Sequence, residues 1–385
     1  MGPHNVDVNG CYGRFQLLSS TLVGVVQKYR LEAENRREAN SADILRTASV
    51  SHVLRTDEQC GTGAQCQQDV TKCNCSFALL DYECNKDNII VIGTDKLNFK
   101  GEISLYNTED HSSKIVTTIM PFQRAHFAAA FFPPDILVLA TGFKDGSPVA
   151  DVDLLSLTSG QFTTGPPLPA GFIYWFASVQ LNDCLYICGG LDHVPVLLSA
   201  CNKLCLNRTT GTMAWYPVAD LTPARKQHRM AVLNGYIYSV GGEPAGAGCI
   251  TDVHRYDPQT NTWQQKTGLQ TARNLAQVVS FGNSLIACGG DTCSGAGPTV
   301  ASCEKYDPVL DAWSPFTSMN RGRKMFTLHN TGGKLHAIGG MNSQEEGSGN
   351  TDSHFTVEVY DPTNDQWVEH KNLSVPRSGH ASFLL

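Results

Sequence analysis

Chemistry in this chain would have to come from its 12 histidines, its 14 cysteines or a set of basic side chains that recur along it. The histidines stand mostly in separate segments, and an isolated histidine is usually structural. No Gly-x-Ser-x-Gly elbow presents a nucleophile, no phosphate loop is found, and no His-Glu-x-x-His pair offers a zinc site. Cys60, Cys66, Cys73, Cys75 and Cys84 crowd one segment, but without the paired Cys-x-x-Cys spacing of a tetrahedral zinc centre. Disulfides, metal binding and free thiols all stay open to that cluster. Elsewhere cysteines lie inside apolar runs such as Cys184-Leu-Tyr-Ile-Cys188, where a thiol behaves as a small buried hydrophobe. The expectation is a non-catalytic protein without cofactor or metal.

The basic residues are more orderly. Arg225, Arg273, Arg323 and Arg377 recur in phase, Arg124 stands one place off, and Ile173 interrupts the series. A planar guanidinium can grip a carboxylate with two parallel hydrogen bonds, so a ring of arginines could face the acidic side chains of a partner. Recurrence fits a second role equally well: arginines that bond carbonyls between neighbouring units, since packing contacts must repeat and binding contacts need not. Lys226, Arg229, Arg321 and Lys324 add charge around the last three units. Lys226, Arg229 and Lys324 do not recur and are the better candidates for specificity.

These residues are carried by a repeated strand pattern. An apolar strand ending in glycine appears as Cys184-Leu-Tyr-Ile-Cys-Gly189-Gly190, Tyr236-Ile-Tyr-Ser-Val-Gly241-Gly242, Ser284-Leu-Ile-Ala-Cys-Gly289-Gly290 and Lys334-Leu-His-Ala-Ile-Gly339-Gly340. Looser copies end at Thr94 and Gly142. The last positions, 94, 142, 190, 242, 290 and 340, follow one another after 48, 48, 52, 48 and 50 residues. A preceding strand such as Arg229–Leu233 joins through Asn234-Gly235, the strongest short hairpin signal. A following pair of strands turns at Asp-Pro, with Tyr256 and Trp263, Tyr306 and Trp313, and Tyr360 and Trp367 at identical spacing. Four short antiparallel strands, six times over, describe an all-β radial propeller.

The double glycines followed by Tyr-Asp-Pro…Trp resemble the kelch repeat family over roughly residues 88–385. The resemblance implies a six-bladed kelch β-propeller that binds other proteins. It also implies that a terminal strand completes the first blade; His380–Leu385 and Ser76–Leu80 both qualify. Two partner classes follow from it: actin filaments or another cytoskeletal assembly, as for scruin-like kelch proteins, and, as the alternative, the substrates of a cullin-type ubiquitin ligase. A metal-dependent enzyme on a kelch propeller is the third and least supported reading. Iron-binding kelch-like proteins carry a Glu-x3-Asp-x3-His loop, whereas Glu346, Asp352 and His354 stand at other spacings here.

Residues 1–50 do not repeat and form an extension with one helix. Leu18, Leu22, Val25, Val26, Tyr29 and Ala33 line one stripe of Leu17–Arg37. Residues 51–87 are a cysteine-rich linker. The leader is too short for the BTB-like domain that precedes many kelch propellers. A net charge of −7 argues against a nucleic-acid partner. The most apolar stretch, Phe127–Phe143, is broken by Pro133, Pro134 and Asp135, and no membrane span is expected. The first residues carry neither a basic-then-apolar signal nor a myristoylation pattern, so a cytoplasmic protein with reduced thiols is expected. Sequons at Asn74, Asn207 and Asn372 would matter only in a secreted chain.

Overall fold

The computed structural model describes residues 65–66, 73–74, 76–77, 82–83, 88–94, 101–115, 120–246, 248–293, 299–342, 356–370, 373 and 378–384. The expected helix at 17–37, the side chains of Cys60 to Cys84, and Arg377 lie outside them. The described residues contain strands and turns and no α-helix.

Among them six four-stranded antiparallel sheets dominate, five of them running outward in chain order. The fourth is typical: Arg229–Leu233 innermost, then Tyr236–Val240, Val253–Asp257 and Thr262–Lys266. Its first hairpin turns on Asn234 (φ 52°) and Gly235 (φ 80°), the left-handed pair that matches strand twist. The innermost strands Ala128–Phe132, Ala177–Leu181, Arg229–Leu233, Gln277–Phe281, Thr327–Thr331 and Ala381–Leu384 neighbour one another in a closed ring. The sheets therefore stand as blades around an axis. In blade 1 the inner strand comes from the far end of the chain, Ala381 pairing with Ile92 and Leu384 with Ile89. The rival segment is engaged elsewhere, Ser76–Phe77 pairing with Tyr82–Glu83.

Second strands are mostly apolar because both of their faces are covered. Ile90 and Ile92 pack toward Leu137 and Leu139 of blade 2, while Ile89 and Val91 pack toward Ile338 and Val357 of blade 6. The core is thus divided among the gaps between blades, with six clusters for six gaps among the described residues.

The glycine pairs close these gaps. At Gly290 (φ 89°) a Cβ would stand 2.2 Å from the Asn274 carbonyl oxygen of its own blade. At Gly289 (φ 70°) it would stand 2.4 Å from the Arg323 carbonyl oxygen of the next blade. Only glycine permits both the left-handed backbone and the approach.

The cysteines correct an expectation. Cys184–Cys205 and Cys188–Cys201 bridge the middle strands of blade 3, Cys288–Cys303 bridges those of blade 5, and Cys249–Cys293 links loops of blades 4 and 5. Eight residues read as thiols are joined. Three of the pairs sit directly opposite in register, with Cα atoms 4.1–4.2 Å apart, which apolar patterning by itself does not reveal.

Candidate functional site

Two sets of connections share one face: those leading into each inner strand, and the loops between second and third strands. Arg225–Lys226 pairs with Glu243–Pro244, Arg124–Ala125 with Phe143–Lys144, and single bridges join Asn274 to Asp291 and Lys324 to Met341.

The recurring arginines lie beneath this face. Arg225 and Arg323 are 0% exposed and Arg273 1%, so their guanidiniums meet no external partner. Each works twice. Its carbonyl accepts from the preceding blade, as in Gly190 N to Arg225 O at 2.9 Å, Gly242 N to Arg273 O at 3.0 Å and Gly290 N to Arg323 O at 2.8 Å. Its guanidinium donates to its own blade's glycine carbonyl, Arg273 to Gly289 at 3.0 Å and Arg323 to Gly339 at 2.8 Å. Carboxylates on third strands complete the contacts: Asp153 for Arg124, Glu304 for Arg273 and Glu358 for Arg323, at 2.7–2.8 Å. Burial lowers these guanidiniums from their ordinary value and the carboxylates oppose it. Blade 4 departs from the pattern. His254 occupies the carboxylate slot 3.3 Å from Arg225, the nearest acid is Asp252 at 3.6 Å, and burial brings Arg225 down to about 10.

At the centre of the face, His126, Trp175, Gln227, Leu275, Met325 and Gly379 supply one residue per blade, all with φ between 50° and 63°. Their backbones hand hydrogen bonds around the axis: Gln227 N to Trp175 O, Leu275 N to Gln227 O, Met325 N to Leu275 O and Gly379 N to Met325 O. This collar rims a cavity of about 530 Å³ between the inner strands.

Beside the collar lies an aromatic patch. Phe172 stacks on Tyr174 at 5.4 Å, Phe143 meets both edge-on, and Tyr174 adjoins Trp175 at 5.3 Å. All four stay partly open to solvent, and Val194 and Val196 in the blade 3 loop are 59% and 54% exposed. Sequence reasoning missed this patch. Its signal was the interruption itself: Phe172-Ile173-Tyr174-Trp175-Phe176 stands where other blades carry the arginine.

The remaining basic candidates are scattered. Lys226 pairs with Glu243 at 3.1 Å and lies over the Trp175 ring; Lys324 pairs with Asp291 at 3.1 Å. Arg321 lies near the surface against Glu369. Arg229 turns into the cavity. The repeat aromatics face the gaps between blades: the Trp263, Trp313 and Trp367 indoles donate to Ala219, Thr267 and Thr317 carbonyls of the preceding blade. Tyr256, Tyr306 and Tyr360 tie down the turn residues Asn261, Asp311 and Asp365. Among the described residues no group of three or more His, Cys, Asp or Glu side chains could hold a metal, and no helix is long and apolar enough to cross a membrane.

The family model for the kelch motif matches residues 224–270, 272–320 and 322–373, each segment opening beside a buried arginine. Kelch-like protein 35 of Homo sapiens is 30% identical over 145 residues, covering 38% of this chain and 23% of that protein. Kelch-like protein 36 of Rattus norvegicus is 29% identical over 161 residues, 40% and 26% of the two chains. Beta-scruin of Limulus polyphemus is 29% identical over 123 residues, 31% and 13%. The matches thus span about a quarter or less of these relatives. Among solved structures, one titled "Structure of YjhT" superposes with a TM-score of 0.55 at 15% identity, covering 67% of this chain and 87% of that one, a likeness of fold alone. With matched motifs over three consecutive blades, and the same glycine-and-arginine contacts holding those blades together, residues 224–373 carry kelch repeats.

Proposed function

We propose that this protein is a non-catalytic interaction module whose collar face binds a protein partner, and that the partner is a cytoskeletal filament of the actin type. The carrying observation is the aromatic patch of Phe143, Phe172, Tyr174 and Trp175, partly open beside exposed Val194 and Val196 on a rigid ring. Aromatic side chains with apolar neighbours supply large contact area at small entropic cost, and they concentrate at the centres of protein interfaces. Lys226, Lys324 and Arg321 supply the polar rim, with carboxylate partners that a docking surface would share. The match to beta-scruin supports the cytoskeletal choice.

Cosedimentation with filamentous actin tests this. The wild-type chain is expected to pellet with filaments, and Phe172→Ala/Tyr174→Ala to lose roughly tenfold in affinity, the scale of central aromatic truncations, with the melting temperature little changed. Lys226→Glu/Lys324→Glu is expected to have a smaller effect. Failure of the wild type to pellet, together with capture of a cullin from extract, would move the protein to the ligase-adaptor class.

A further inference from the structure

The cavity behind the collar has walls of one electrostatic character. Its described lining contains no Asp or Glu, and its one full charge is Arg229. Among the described residues Arg229 makes a single side-chain hydrogen bond, Nη1 to the His228 carbonyl at 3.1 Å, and no ion pair. Its other donors are left to the cavity. Desolvation alone brings its guanidinium down to about 10, and its charge helps hold His126 below the ordinary histidine value after burial itself. An uncompensated cation at such depth is costly.

The fold does not require it. Pairing register makes Arg229 the equivalent of Ala128, Ala177, Gln277, Thr327 and Ala381, the opening residues of the other five inner strands. All five are neutral, and three are alanines. Unlike the buried arginines, Arg229 therefore answers to something other than blade packing.

The rest of the cavity describes what that is. Gln277, Thr327 and His329 offer neutral hydrogen-bonding groups, and Met230, Phe326 and Leu328 offer apolar surface. One planar cation matches one carboxylate through paired N–H donors. Apolar walls within about 530 Å³ suit an organic remainder. We propose that the channel is a binding site for a small organic monocarboxylate, held by the Arg229 guanidinium and admitted through the collar. The proposal does not rest on the partner reading, although Trp175 belongs to both the patch and the cavity wall.

Trp175 lines the cavity while the other four tryptophans stand on outer strands, so intrinsic fluorescence reports on the channel. The full chain is titrated with acetate, benzoate and gluconate, with inorganic phosphate and chloride for comparison, by fluorescence and calorimetry. At least one carboxylate should bind one-to-one and raise the melting temperature of the wild type. Arg229→Gln should lose that affinity at least tenfold, and Arg229→Lys should fall between. Without added anion, Arg229→Gln should melt no lower than wild type, because it removes an unpaired charge. Absence of carboxylate binding, a preference for phosphate, equal binding by Arg229→Gln, or a lowered melting temperature in that variant would each overturn the proposal.

Discussion

At the scale of single residues, the buried arginine that opens each of blades 4, 5 and 6 is a latch between blades. Its carbonyl accepts from one blade and its guanidinium grips the glycine carbonyl of its own. Because the side chain is closed to water, its charge must be met inside, and third-strand acids meet it in blades 2, 5 and 6. Removing one member of such a pair strands the other, at about 3–5 kcal/mol. Blade 4 offers the converse experiment. His254→Glu would place a carboxylate where Glu304 and Glu358 serve their arginines, and should stabilise the protein by about 1–2 kcal/mol, a fraction of that range. Denaturant titration measures it; equal or lower stability would show that Asp252 already neutralises Arg225. The repeat of the latch was legible in the chain, but its partners were not. The acids sit about 30 residues away on another strand, and phase along the sequence says nothing about which side chain faces which.

Elements carry the next layer. A kelch strand ends in two glycines because two backbones arrive there, one from its own blade and one from the next. Left-handed φ and close approach contribute separately, and two substitutions part them. Gly146→Ala meets nothing within 4 Å and should cost only the left-handed penalty, about 1–2 kcal/mol. Gly290→Ala meets the Asn274 carbonyl at 2.2 Å and should cost several kcal/mol or abolish folding. Equal effects in thermal melts would mean that strain, and not approach, selects glycine. The cross-strand disulfides belong to this scale as well. Register sets Cys184 opposite Cys205 and Cys288 opposite Cys303, a relation fixed by strand pairing and not by spacing.

At the scale of the whole molecule, the ring is held shut at one seam, and histidines collect there. His329 on the inner strand of blade 6 bonds the Ser382 hydroxyl of the closing strand, and Thr327 bonds His380. Farther out, the His111 ring of blade 1 lies tilted against that of His370 of blade 6, centroids 3.6 Å apart, with His336 close by. Burial, aided at His336 by neighbouring basic groups, lowers His329 to about 4 and His336 to about 3. Their unfolded counterparts titrate near 6.5, so below that pH the unfolded chain binds more protons than the folded one. Stability should hold above pH 6.5 and fall as pH drops toward 4, by about 1.4 kcal/mol per pH unit for each histidine kept neutral. Urea midpoints between pH 7 and 4.5 test this, with His329→Gln expected to flatten the slope. An unchanged slope in that variant would place the acid sensitivity elsewhere.

Periodicity alone determined the all-β class, the strand-turn grammar and the kelch likeness, because each blade must bury both faces against neighbours built the same way. That demand writes glycine, tyrosine and tryptophan at fixed intervals. Contacts between units were beyond its reach: which terminal segment closes the ring, which cysteines meet, which acid answers which arginine, and that Phe172, Tyr174 and Trp175 gather beside the channel mouth. All depend on residues far apart in sequence that become neighbours only when the ring is complete. The departures from the repeat, Arg229 among neutral equivalents and aromatics in place of an arginine, were visible in the chain. Only the tertiary structure gave them a direction, one inward to the channel and the other out to solvent, because a strand's facing is decided by what packs against it.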